Sequence, residues 1–232
     1  MDSERRWFFG KVAAVGVGIA AALKGVKVWA KGLPSDPGAA AGEAGPGVIL
    51  LPPFEKNGTV TLEQALLERK TERSFDKDRP LTKEELSRLF WAMTGVNRDD
   101  GHRTTPSAVA LYPVDVYVAL PDGVYEFDNK KHRLVKVLAQ DIRSEVPIQP
   151  EFRSAGMIVL YVANKSRFRK GENPWADLEI GCMVQNTYLQ AAALGLSSCV
   201  FALVRYDNVT KLMGLKSNQA LRIAQVVGHR KA

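Results

Sequence analysis

Apolar positions recur along the chain at two spacings, and the changes between them mark out the elements. Thr61-Leu62-Glu63-Gln64 sets a hydroxyl three residues before a side-chain amide, a capping pattern that opens a helix through Glu68. A second such pattern, Thr82-Lys83-Glu84-Glu85, opens a helix with the apolar face Leu86, Leu89, Phe90 and Met93, stopped by Gly95. Asp115 to Leu120 alternates around Val116 and Val118 as a strand does. Pro121-Asp122-Gly123 turns it back into Val124 to Phe127, and a strand over Arg133 to Leu138 follows. Gly156 to Ala163 is an unbroken apolar run, which predicts a central strand buried on both faces. Trp175 to Leu194 has helical period and ends at Gly195. Its apolar residues, among them Ile180, Met183, Val184, Tyr188, Leu189 and Ala192, cover most of the circumference, so it belongs in a core or at a subunit interface. Ser198 to Val204 reads as another buried strand, Asp207 as the cap of a short helix from Val209 to Met213, and Leu221 to Val227 as a last strand. Helices and strands mix without regular alternation, so the class is α+β.

Before these elements the pattern changes. Arg5-Arg6-Trp7-Phe8-Phe9-Gly10-Lys11 precedes an apolar run from Val12 to Leu23, too short to span a bilayer comfortably. The adjacent arginines resemble a twin-arginine export signal, with Val28-Trp29-Ala30 as a cleavage site. The other reading of residues 1–31 is a retained anchor, with residues 7–30 lying on a membrane surface and Lys24 and Lys27 at the headgroups. Residues 32–47 are rich in Gly, Ala and Pro, a composition that buries too little to order itself, and read as a linker. The folded domain is expected over 48–232, beginning with the apolar strap Val48-Ile49-Leu50-Leu51 that Pro52-Pro53 stops.

Composition narrows the chemistry. The net charge of +7 divides into +4 on residues 1–31 and +3 on all the rest, and no aromatic residues interleave with the basic ones, so a nucleic-acid partner is not expected. Cys182 and Cys199 form no CxxC pair, and His102, His132 and His229 have no ligand spacing, so no metal site is expected. Both cysteines read as core residues. No Ser-His-Asp, Cys-His or paired-carboxylate constellation supplies a catalytic group.

One stretch does carry chemistry. Arg69-Lys70-Thr71-Glu72-Arg73 leaves the first predicted helix, and in an extended segment Arg69, Thr71 and Arg73 point to one side. Two guanidiniums so placed suit a phosphate, which pairs with them through parallel hydrogen bonds. A solvated basic turn flanked by Glu68 and Glu72 has the same spacing. Between Thr104 and Pro113 lies a loop of small residues, which either lets a flat ligand approach the backbone or simply makes a tight turn.

Four segments together resemble the nitroreductase-like flavoenzymes over residues 48–231. Arg69-Lys70-Thr71-Glu72-Arg73-Ser74-Phe75 is similar to that family's opening Arg-x-Ser-x-Arg/Lys-x-Phe motif, with Thr71 for serine. Pro106-Ser107-Ala108 with Leu111-Tyr112-Pro113 resembles its second flavin-contacting loop, most closely that of the azoline-dehydrogenase subgroup. Gly181 through Gly195 resembles its long central helix, and Gly228-His229-Arg230 its terminal phosphate clamp. The resemblance implies a mixed central β-sheet flanked by helices, FMN as cofactor, a homodimer joined through the long helix, and a small-molecule substrate. It implies that Arg69 lies toward the flavin ring as electrostatic support, while Thr71, Arg73 and Arg230 hold the phosphate. Lys70, Pro106, Ser107, Ala108, Leu111, Gly228 and His229 complete the implied cofactor contacts, and Phe201-Ala202-Leu203 would offer a backbone N–H to the ring. Ser197, Val200 and Ala202 stand where the family often has glycine, proline and glycine. Ala110 and Tyr112 replace the asparagine and glutamine of classical nitroreductases, which argues against nitroaromatic substrates. Export would make NAD(P)H a scarce donor and a quinol or redox-protein donor the expected one. An azoline- or peptide-type dehydrogenase, and a scaffold that keeps only the fold, are the alternatives.

Overall fold

The computed structural model describes residues 45–168 and 175–231. The predicted export segment and nearly all of the linker lie outside them. Seven strands form one sheet: β1 (Val48–Leu50), β2 (Val114–Leu120), β3 (Gly123–Asp128), β4 (Arg133–Leu138), β5 (Met157–Asn164), β6 (Leu196–Phe201) and β7 (Gln219–His229). Their order is β1-β4-β3-β2-β5-β7-β6, and every pairing is antiparallel. Among the described residues four α-helices accompany it: α1 (Leu62–Glu68), α2 (Lys83–Thr94), α3 (Trp175–Ala193) and α4 (Tyr206–Met213). The α+β class and the helix-flanked sheet expected from the sequence are both present.

The run that predicted a doubly buried strand is β5, at the middle of the sheet. Met157, Val159, Tyr161 and Ala163 face one apolar cluster, with α2 and α3; Ile158, Leu160 and Val162 face another, with Val209 of α4. The period of two thus delivers alternate residues to two cores. Helix α2 buries Leu86, Leu89, Phe90 and Met93, as its period requires, and both halves of its capping box form. The box at α1 is half made: Thr61 accepts from Gln64 N–H at 3.1 Å, but the Gln64 amide donates to Glu68 instead. The β2–β3 turn needs Gly123, at φ +148°, because a Cβ there would meet the Leu138 carbonyl at 2.4 Å.

Some boundaries differ from the sequence reading. The apolar strap at Val48 is an edge strand paired to β4. β6 starts at Leu196, ends at Phe201 and pairs only with β7, so it lies at the sheet edge and residues 202–204 leave it. Helix α4 begins at Tyr206 because Val209 N–H already reaches the Arg205 carbonyl. Asp207 therefore sits in its first turn, where it favours the helix dipole, and is not its cap.

A buried polar chain seats α3 on the sheet. Tyr161 Oη donates to Gln225 Oε1 at 2.7 Å, Gln225 Nε2 donates to Ser198 Oγ at 2.9 Å, and Thr187 of α3 lies 3.4 Å from Tyr161 Oη. Each group would cost about 1–3 kcal/mol if left unpaired, so the register of β6 against α3 is closely specified. That register positions the site.

Candidate functional site

Helix α1 stops at Glu68, and residues 69–76 run extended across the ends of β6 and β7. Glu72 N–H donates to the Ser198 carbonyl and Asp76 N–H to the His229 carbonyl, each at 2.9 Å, while Phe75 bridges to Arg230. Alternate side chains then part company. Arg69 lies over the Tyr188 ring, 5.5 Å from its centroid, and Thr71 Oγ1 is 3.3 Å from Tyr188 Oη, which also accepts the Val200 N–H at 2.8 Å. The intervening residues form the tighter cluster. Lys70 Nζ is 2.5 Å from Glu72 Oε1, Arg230 Nε is 2.9 Å from Glu72 Oε2, and Ser197 Oγ donates to the same oxygen at 2.8 Å. The Lys70 hydrogen bond, helped by those from Ser197 and the Arg230 charge and opposed by burial, holds the Glu72 carboxyl below its usual range.

A cavity of about 200 Å³ opens here, lined by Lys70, Glu72, Tyr188, Ser198 and Arg230 among others. Convergence on one anion therefore falls on Lys70 and Arg230, with Arg69 and Thr71 at its Tyr188 wall. Arg73 is exposed and stands apart. Its charge acts instead on Cys199, whose thiol burial pushes up and Arg73 draws down.

The second loop is separately built. Val109, Ala110 and Tyr112 all have φ near +50°, which side chains with a Cβ rarely adopt. Tyr112 is tied there on four sides. Its N–H donates to Ser107 Oγ at 2.8 Å, its carbonyl accepts from Arg167 at 2.9 Å, its hydroxyl accepts the Arg103 N–H at 3.2 Å, and its ring stacks 4.1 Å from the Arg103 guanidinium. Beneath lies Glu179 of α3. Burial pushes its carboxyl up to about 7, against a hydrogen bond from Ser107 and the charges of Arg103 and Arg167. A larger cleft of about 560 Å³ opens beside this loop, lined by Leu111, Tyr112, Arg103, Glu126 and Arg167 among others. It shares Leu111 with the expected cofactor contacts but no member of the basic stretch, whereas Lys70 and Arg230 line the smaller cavity. Pro106 and Ala108 flank the Ser107 turn without a polar contact to Lys70 or Arg230 among the described residues.

The remaining expected contacts divide between site and scaffold. Phe201 is buried against Phe152, with ring centroids 4.9 Å apart, whereas Ala202 and Leu203 are exposed. Gly228 packs on Gly156, where an added Cβ would lie 2.9 Å from the Gly156 nitrogen. The buried His229 ring turns to Glu85, with Nε2 at 3.3 Å, so its side chain serves α2 and not the cavity. Arg230, half-exposed, is the member of that clamp whose side chain reaches the site.

Residues 66–229 match the model of the nitroreductase family. The chain belongs to this family. A nitroreductase-family protein of Methanocaldococcus jannaschii is 32% identical over 174 residues, which is 69% of this chain and 85% of that one. A nitroreductase-family crystal structure from Ralstonia eutropha superposes with a TM-score of 0.75 at 33% identity, covering 82% of this chain and 92% of the other. A third, from Desulfovibrio desulfuricans and solved in complex with FMN, shares the fold at 19% identity and a TM-score of 0.53, over 74% and 87% of the two chains.

Sequence reasoning missed three residues of the cluster. In the sequence Glu72 has the look of a flanking charge, Tyr188 of a core aromatic and Ser197 of a departure from the family. A carboxylate set between two basic residues and followed by a distant third carries no signal until the β6–β7 register brings Ser197 and Arg230 beside it.

Proposed function

We propose that this nitroreductase-family oxidoreductase uses FMN, held by its phosphate at Lys70, Arg230, Ser197 and Thr71 with Arg69 beside them. The observation that carries this reading is the Lys70–Glu72–Arg230 cluster: two cations and a hydroxyl already converge on one oxyanion at the mouth of a small cavity. Guanidinium, ammonium and hydroxyl donors around one point are the set a phosphate monoester asks for. FMN, when bound, supplies the redox chemistry at its ring. The protein's part is to grip the phosphate, to fix the ring's position, and to hold positive charge at Arg69. The buried Cys199 is not a nucleophile in this scheme, and Glu179 stands nearest the second loop as a proton-holding group.

The working unit we propose is a homodimer. Helices α1 and α3 pack together, and Leu62, Leu66, Leu67 and Leu178 on them are exposed. Leucines gathered on two adjoining helices suit burial against a second copy. The partly buried Cys182 lies on α3 too. We further propose export through the twin-arginine route, with a quinol or redox protein in place of NAD(P)H as donor; retention in the cytoplasm by wild type and by an Arg5→Lys/Arg6→Lys variant alike would remove that claim.

The test of the cofactor is anaerobic titration of the FMN-loaded protein against NADH, NADPH and a quinol, read at the flavin absorption band. Bleaching by one donor at a rate well above free FMN supports the oxidoreductase; no donor bleaching it would contradict that reading. The second loop, resembling the azoline-dehydrogenase subgroup, favours a second reading in which a ring or peptide substrate is oxidised and itself bleaches the flavin.

A further inference from the structure

The cavity is lined by two carboxylates where a phosphate grip would be expected to carry none: Glu68, which accepts from Gln64 at the end of α1, and Glu72, on which the cations converge. Glu72 lies between Lys70 and Arg230, takes a hydrogen bond from Ser197, and has its own N–H fixed to Ser198. Its side chain is 16% exposed, whereas those of Lys70 and Arg230 are 58% and 51% exposed. The acid is therefore packed in place by the ends of β6 and β7, and the two cations reach inward to it from solvent. Residues 72–76 are tied to β6 and β7 through backbone hydrogen bonds, so the segment cannot withdraw the carboxylate by moving as a whole. Any change must come from side-chain rotation.

We infer that Glu72 is an internal competitor for the cofactor phosphate, standing in for it on Lys70 and Arg230 and setting how tightly FMN is kept. The inference rests on the FMN reading above. A phosphate dianion brought to these cations either turns the carboxylate away or sits beside it, and like charges at such separations repel appreciably even near a surface. Two consequences follow. Affinity for FMN is held below what Lys70, Arg230, Ser197 and Thr71 could give unopposed. In the absence of phosphate, Lys70 and Arg230 are kept paired and oriented, so the site does not pay the self-repulsion of two bare cations. Riboflavin, which lacks the phosphate, does not feel Glu72 at all.

The experiment measures binding of FMN and of riboflavin to the full chain by quenching of flavin fluorescence, in wild type, Glu72→Gln and Glu63→Gln. Glutamine keeps the shape and can still accept from Ser197, while Glu63 is an exposed acid on α1 and serves as control. We expect Glu72→Gln to tighten FMN by about tenfold or more, the scale of one removed charge contact, with riboflavin unchanged and Glu63→Gln like wild type. FMN affinity unchanged or weakened in Glu72→Gln, with wild type still binding FMN, would overturn the inference and make Glu72 an aligner of Lys70 and Arg230. Wild type failing to bind FMN would instead overturn the cofactor reading, and this inference with it. A second readout guards against a poorly folded variant: inorganic phosphate should raise the melting temperature of Glu72→Ala more than that of wild type, and an equal or smaller rise would count against the competition.

Discussion

At the residue scale, Tyr188 does the most with the least sequence signal. Its hydroxyl accepts the Val200 N–H at 2.8 Å and meets Thr71 at 3.3 Å, and its ring carries Arg69. Tyr188→Phe should therefore cost about 1–2 kcal/mol in urea denaturation, because the Val200 donor loses its partner. It should also weaken FMN retention through Thr71 and Arg69; unchanged stability and retention would show that the hydroxyl holds nothing. Arg230→Gln is expected to weaken FMN by tenfold or more, and more than Arg73→Gln, since only the former side chain reaches the cavity. Equal losses would return the phosphate to Arg73.

Glu179 gives a prediction with a defined sign. Its carboxyl, raised to about 7 in the folded chain, keeps its proton while an unfolded glutamate at 4.5 has lost it. Its contribution is fully present below pH 4.5 and is lost as pH rises toward 7, beyond which it is flat. Glu179→Gln should remove that loss, so the variant gains on wild type between pH 4.5 and 7, by at most about 3 kcal/mol. A stability difference independent of pH over that range would place the Glu179 carboxyl in water.

At the element scale, the fold was legible where periodicity was strict and terminal chemistry was local. The β5 run and the α2 face with its capping box needed no tertiary information. Thr82→Ala should accordingly cost about 1 kcal/mol by thermal denaturation, the usual loss for a hydroxyl N-cap; a neutral result would deny the cap its share. Edges were harder to read. Apolar sequence at Val48 and at 196–201 does not distinguish a strap from an edge strand or a buried strand from a border one, because pairing partners lie 80 residues or so away for one and across a helix for the other. The candidate site was legible to the same degree. Arg69 to Arg73 could be singled out from local alternation, and Arg230 from resemblance, but that Lys70 rather than Arg73 joins Arg230 depends on how residues 72–76 dock on β6 and β7. His229, next to Arg230 in sequence, belongs to packing because alternation turns its ring to the other side, toward Glu85, and Gly228 because its backbone lies against Gly156.

At the scale of the whole molecule, the sheet and its two apolar faces supply the stability, while α1 and α3 leave an apolar surface outward. Leu66→Lys with Leu178→Lys should shift the protein from dimer to monomer in analytical ultracentrifugation, with the fold retained by circular dichroism. A wild-type monomer would remove the dimer from the account. The parts then separate: β6, β7 and the stretch after α1 bring Lys70, Ser197 and Arg230 onto Glu72, the strained second loop is braced by Arg103 and Arg167 over Glu179, and α3 connects the two. All of it turns on the cofactor. The decisive measurement is the flavin content of the purified full chain, by absorption spectrum and by chromatography of the released chromophore after loading and desalting. We expect close to one FMN per chain. A colourless protein that takes up no FMN on reconstitution would contradict the account at its centre.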